Sequence, residues 1–153
     1  MDESAETLLA AAEAAVPGWV ERCVADRLVA ARGTVPEDVR AAAAAAGVAA
    51  AEDVTARLRE LLERDVEAQQ ANPLAILRSA VRYPTEVLRR AGVPPVRRDE
   101  FAERTFPDDV YDLSPATWRD VDESLFEPGI VWGAWKAQQV LRRRRPASGE
   151  ARP

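Results

Sequence analysis

The side chains in this chain that could do chemistry are mostly carboxylates. Asp108, Asp109 and Asp112 follow Phe106-Pro107, and Asp120, Asp122 and Glu123 follow Trp118. Oxygen-rich clusters of this kind can hold Mg²⁺ or Ca²⁺, and two acids at a defined separation can hydrolyse a glycosidic bond. The spacing lacks the central glycine and terminal glutamate of a calcium loop. Residues 96–127 carry ten acids against four arginines and lie between two basic stretches. The acidic cluster of Asp108, Asp109 and Asp112 is therefore expected to cap short helices and pair with arginines.

Other chemistry is scarce. There is no histidine, one cysteine (Cys23) and one lysine (Lys136). Those types perform most nucleophilic, acid–base and transition-metal chemistry near neutral pH. Cys23 sits among apolar neighbours with no imidazole to activate it, and reads as a small core residue. The glycines are scattered, without a phosphate-cradling loop, and Lys136 has no Walker context. No catalytic residue or metal ligand is assigned, no cofactor is expected, and the chain reads as a non-enzyme.

Binding chemistry is better represented. Arg78, Arg82, Arg89, Arg90, Arg97 and Arg98 form one basic stretch, and Arg142, Arg143, Arg144 and Arg145 form another. If they converge they could bind phosphate backbone with steep salt dependence. Nucleic-acid binding through Arg78–Arg98 and Arg142–Arg145 is the alternative functional reading. Arginines at helix C-termini also complement the macrodipole, and the whole chain is acidic, at net −5. The region before Arg142 is apolar over a wide arc, with Ile130, Val131, Trp132, Trp135, Val140 and Leu141. Aromatics and arginine dominate interface energetics, so Trp132, Trp135 and Arg142–Arg145 are the candidate partner surface. The partner expected is a protein or a second copy of the chain. The thin polar face argues against a membrane-surface role, and no apolar run approaches the ~20 residues that span a bilayer.

Around Gly47 the sequence resembles the turn of a helix-turn-helix, with Ala43 four residues earlier and Val48 following. Val54 falls one residue late for that motif. The second helix would open with Ala49-Ala50-Ala51-Glu52-Asp53, which puts carboxylates rather than base-reading side chains at DNA. A tight αα-corner at Gly47 is the preferred expectation.

These residues need elements to hold them. The 153 residues fit one domain. One thiol cannot form an internal disulfide, and the acidic start lacks the pattern of a secretory leader, so a cytoplasmic setting is expected. Arginine supplies all but one of the 21 basic residues, as GC-rich coding would produce. Residues 1–71 are Ala- and Glu-rich with helical spacing. A first helix begins near Ser4, and a second starts with Pro17 at its first position and stops at Gly33. Thr34 and Glu37 form a capping box for a third, and Gly47 ends it. The clearest helix covers 49–70, with Val54, Leu58, Leu61, Leu62 and Val66 in one stripe. Asn72-Pro73 restarts a helix, Tyr83-Pro84 interrupts it, a short helix follows to Arg90, and Gly92 stops it. Short turns are expected near 99–103 and 114–121, and a last helix over 128–144. Alanine-rich faces would allow close helix approach or a dimer seam. No stretch alternates with a period of two. The expected fold is all-α: a helical core from the N-terminal half, clasped by a Pro-rich segment with short helices and a final C-terminal helix. Residues 1–145 form one domain (parts 1–71 and 72–145), and 146–153 a disordered tail.

Overall fold

The computed structural model describes residues 3–63, 73–96 and 109–122. Among them the structure is all-helical, with no strand. Helix α1 spans Glu3–Arg32 and α2 spans Glu37–Glu63; two short helices follow, α3 at Pro73–Ser79 and α4 at Arg82–Arg90. A 3-10 turn covers Trp118–Asp120.

The long helices form a hairpin because each carries a narrow apolar seam. On α1 it runs Leu9, Ala12, Val16, Val20, Val24, Leu28, and on α2 Ala43, Ala50, Val54, Leu58, Leu61; all are buried. Steps of three and four residues keep one stripe facing the partner helix. Burying a side chain such as Leu58 contributes about 1.5–3 kcal/mol, whereas an exposed helical ion pair contributes about 0.2–0.5 kcal/mol. The seam, not the charge pattern, sets the pairing. Gly33 ends α1 at φ +76°, with its N–H on the Val29 carbonyl at 2.8 Å.

Two expected breaks are absent. Pro17 lies inside α1 and Gly47 inside α2, so neither the helix start at Pro17 nor the turn at Gly47 exists. The helix-turn-helix resemblance and the αα-corner both fall with that turn. The reason is tertiary: the two residues face each other across the hairpin. A Cβ on Gly47 would lie 2.8 Å from the Pro17 carbonyl oxygen and 3.0 Å from its Cα, so glycine is what lets the helices approach there. The Thr34 capping box is also corrected. Helix α2 opens two residues later than that cap requires, with the Pro36 carbonyl accepting from Arg40 N–H at 3.0 Å. The helix expected at 49–70 is the second half of α2 as far as Glu63; residues 64–70 lie outside the described residues.

The break between α3 and α4 falls at Ala80-Val81, earlier than Tyr83-Pro84. Proline takes its toll upstream. The N–H missing at Pro84 would have served the Ala80 carbonyl, which instead accepts from Tyr83 N–H at 3.0 Å. Pro84 itself sits in the first turn of α4, where free N–H groups are normal. Gly92, at φ +73°, ends the helix as expected.

Helix α4 runs beside the hairpin toward its bend. Arg82 Nη2 reaches Asp53 on α2 at 2.9 Å, and Arg32 at the end of α1 donates to the Ala91 and Gly92 carbonyls at 2.8 and 3.0 Å. Residues 109–122 lie against the hairpin and α4. Tyr111 and Val121 enter the core, Val96 N–H donates to the Val110 carbonyl at 2.9 Å, and Tyr111 Oη donates to the Val93 carbonyl at 2.6 Å. Burial pushes the Tyr111 phenol up from its ordinary range. The last helix expected over 128–144, the turn near 99–103 and the tail 146–153 lie outside the described residues.

Candidate functional site

An open groove of about 740 Å³ lies between the first half of α2 and α4. Its apolar lining is Val39, Ala42, Ala45 and Ala46 from α2, with Tyr83, Val87 and Ala91 from the other wall. The groove exists because the alanines of 41–46 are too short to fill the space in front of α4. Ala43 packs inward, while Ala41, Ala42 and Ala45 stay exposed.

Charges along the groove are fixed unevenly. Arg82 is held by Asp53 and by the Tyr83 hydroxyl at 3.2 Å, with its guanidinium 5.0 Å from the Tyr83 ring centre. Asp53 also accepts from Arg57 Nε at 3.1 Å, and Arg57 Nη1 donates to Ser79 Oγ at 3.2 Å. Arg90 pairs with Glu86 at 2.9 Å. The α4 wall is therefore compensated by neighbours. On the α2 wall Asp38 lines the groove, and it and Glu37 have no ion pair among the described residues. The end of the groove at the start of α2 is left acidic.

Two carboxylates of the acidic stretch are engaged by backbone N–H groups. Asp109 is buried, and its carboxylate accepts from Leu113 N–H at 2.8 Å and Ser114 N–H at 2.6 Å. It locks a turn, with both oxygens used. Asp112 is exposed at φ 57°, and Asp108 lies outside the described residues. Asp120 likewise turns inward on its own segment, accepting from Ala116 and Thr117 N–H, each at 2.9 Å. Among the described residues no group of three or more metal-ligating side chains could hold an ion.

Arg78 Nε donates to the Pro115 carbonyl at 3.2 Å, and Arg82 and Arg90 are paired as above. Arg89 is exposed. Arg97, Arg98, Arg142–Arg145, Trp132 and Trp135 lie outside the described residues. Cys23 is half-buried against the first core cluster, and its thiol is pushed up to about 12, chiefly by burial, with Arg22 opposing. Such a thiol stays protonated near neutral pH, in keeping with a packing role. The hydroxyls of Thr55 and Thr85 are buried without a hydrogen-bond partner among the described residues; neither residue lines the groove.

The sequence signal for this site was the run Ala41–Ala46, which pointed to close packing. Packing is what Ala43 and Ala50 do, but the outer alanines leave space instead. Among the described residues no helix is long and apolar enough to cross a membrane. Compared with protein families, with curated proteins and with solved structures, the chain matches none of them.

Proposed function

We propose that this protein is a non-enzymatic helical interaction module, working in the cytoplasm, whose α2/α4 groove receives apolar side chains of a protein segment. The groove carries this reading. Its lining is mostly short and apolar with the Tyr83 ring beside it, its rim is charged, and its volume lies in the ~300–1,000 Å³ range of sites that enclose large organic groups. An amphipathic helix laid in such a groove anchors through residues spaced three or four apart.

The test is selection from a displayed library of random peptides. It is run on the wild-type chain and on Trp132→Ala/Trp135→Ala, each against the same chain carrying Ala42→Arg. The expected outcome is enrichment of peptides with aromatic or aliphatic residues at helical spacing. Their affinity should fall at least about tenfold when Ala42→Arg fills the groove, equivalent to ~1.4 kcal/mol. If neither chain enriches peptides over its Ala42→Arg counterpart, the reading is wrong.

A further inference from the structure

We infer that the occupant of the α2/α4 groove is the chain's own C-terminal segment, residues 130–141, bound in cis; this rests on the groove being a docking site.

Three observations meet here. The first is a mismatch of sizes. The aliphatic lining of the groove is alanine and valine, with the Tyr83 ring as its one aromatic member, and the buried aromatic side chains of the described residues are Trp19 and Tyr111. The largest apolar groups outside the described core include Trp132 and Trp135, one helical turn apart in sequence. A groove of about 740 Å³ has room for both indoles. Its α2 wall from Asp38 to Ala46 is about 12 Å long, and Trp132 to Leu141 spans about 14 Å at the helical rise of ~1.5 Å per residue.

The second is reach. The described chain ends at Asp122, against the core through Val121, whose carbonyl accepts from Arg22. Ten residue-to-residue steps lead from Asp122 to Trp132, enough for up to about 33 Å. A domain of some 100 residues has a radius of gyration of only about 13 Å. The segment can arrive without help from a second molecule.

The third is charge. From Gly129 to Ser148 the chain has no acidic residue, and Arg142–Arg145 follow the apolar stretch directly. Glu37 and Asp38 stand at one end of the groove. A segment lying antiparallel to α2 brings the four arginines to those acids. It also sets its C-terminal dipole beside the N-terminus of α2, the favourable pairing. Each end of the groove also carries one α4 arginine, Arg82 or Arg90, already paired with an acid, so Glu37 and Asp38 are what distinguish the two directions.

The experiment uses the full chain labelled with 5-fluorotryptophan and read by fluorine NMR, with resonances assigned by Trp132→Phe and Trp135→Phe. The expected result is solvent-shielded Trp132 and Trp135 signals that do not change on dilution. Ala42→Arg should move both to solvent-exposed positions while the core Trp19 signal stays in place. Tryptophans exposed in the wild-type chain would overturn the inference, as would shielded ones indifferent to Ala42→Arg. Shielding lost on dilution would also overturn it, by showing that a second copy supplies the segment. Any of these three results can coexist with peptide selection by the groove, so failure here is separable from failure of the docking site itself.

Discussion

At the scale of single residues, the contact between Pro17 and Gly47 matters most. Each breaks a rule for helix interiors, and each is explained by the other. Proline deprives the Glu13 carbonyl of its helical donor, and glycine costs up to about 1 kcal/mol against alanine by propensity. On an isolated helix Gly47→Ala would be stabilising. Here the new methyl would meet the Pro17 backbone oxygen at 2.8 Å and Cα at 3.0 Å, and backbone atoms cannot rotate aside. Overpacking of this kind costs about 1–3 kcal/mol and outweighs the propensity gain. We expect Gly47→Ala to lower the Tm and reduce unfolding free energy by about 1–2 kcal/mol in urea titrations. Gly33→Ala is the comparison: nothing lies within 4 Å of its Cβ, so its loss comes only from φ +76°, roughly 1 kcal/mol. A stabilised Gly47→Ala protein would show that the helices are not pressed together at this point.

At the scale of elements, what could be read from the sequence was whatever is decided locally. The stops at Gly33 and Gly92 depend on backbone conformations that glycine tolerates, and the seam of Val54, Leu58 and Leu61 depends on spacing along one helix. Pro17 and Gly47 were misjudged because their meaning lies in a residue 30 positions away. The α3–α4 break was misplaced because proline acts on a carbonyl four residues upstream. Asp109 was expected to cap a helix or pair with an arginine, whereas it holds the N–H groups of a non-helical turn. That role can be tested. Its two oxygens hold the Leu113 and Ser114 N–H groups where the 109–122 segment turns onto the core, and the residue is buried. Hydrogen bonds to a charged acceptor are worth about 1.5–3 kcal/mol each. Asp109→Ala should therefore cost about 3–6 kcal/mol in denaturant titration, with Asp109→Asn, which keeps one acceptor oxygen, falling between. An Asp109→Ala protein as stable as wild type would mean that this turn contributes nothing to holding the segment.

At the scale of the whole molecule, the question is whether the short helices are a separate unit attached to the hairpin. The core falls into two clusters. One is centred on Leu9, Val16, Val20, Val54, Leu58 and Leu77, and the other on Val24, Leu28, Val87, Leu88 and Tyr111. Helix α1 runs through both, and Ala46 and Leu113 pack against both. Helices of seven and nine residues are too short to persist in water alone, so α3 and α4 exist only while the hairpin presents its seam. The run Ala41–Ala46 marks one wall of the groove in the sequence, but the groove itself is a distance between α2 and α4, set by packing that neither helix encodes by itself. It follows that the two clusters should open together. In native-state amide exchange, Leu58 in the first cluster and Leu88 in the second should report the same opening free energy, equal to that from urea unfolding. Both should shift equally in Gly47→Ala, although Gly47 is far in sequence from Leu88. If Leu88 instead exchanges through a cheaper opening that leaves Leu58 protected, α4 is a detachable arm. The groove wall would then be a moving part rather than a fixed surface.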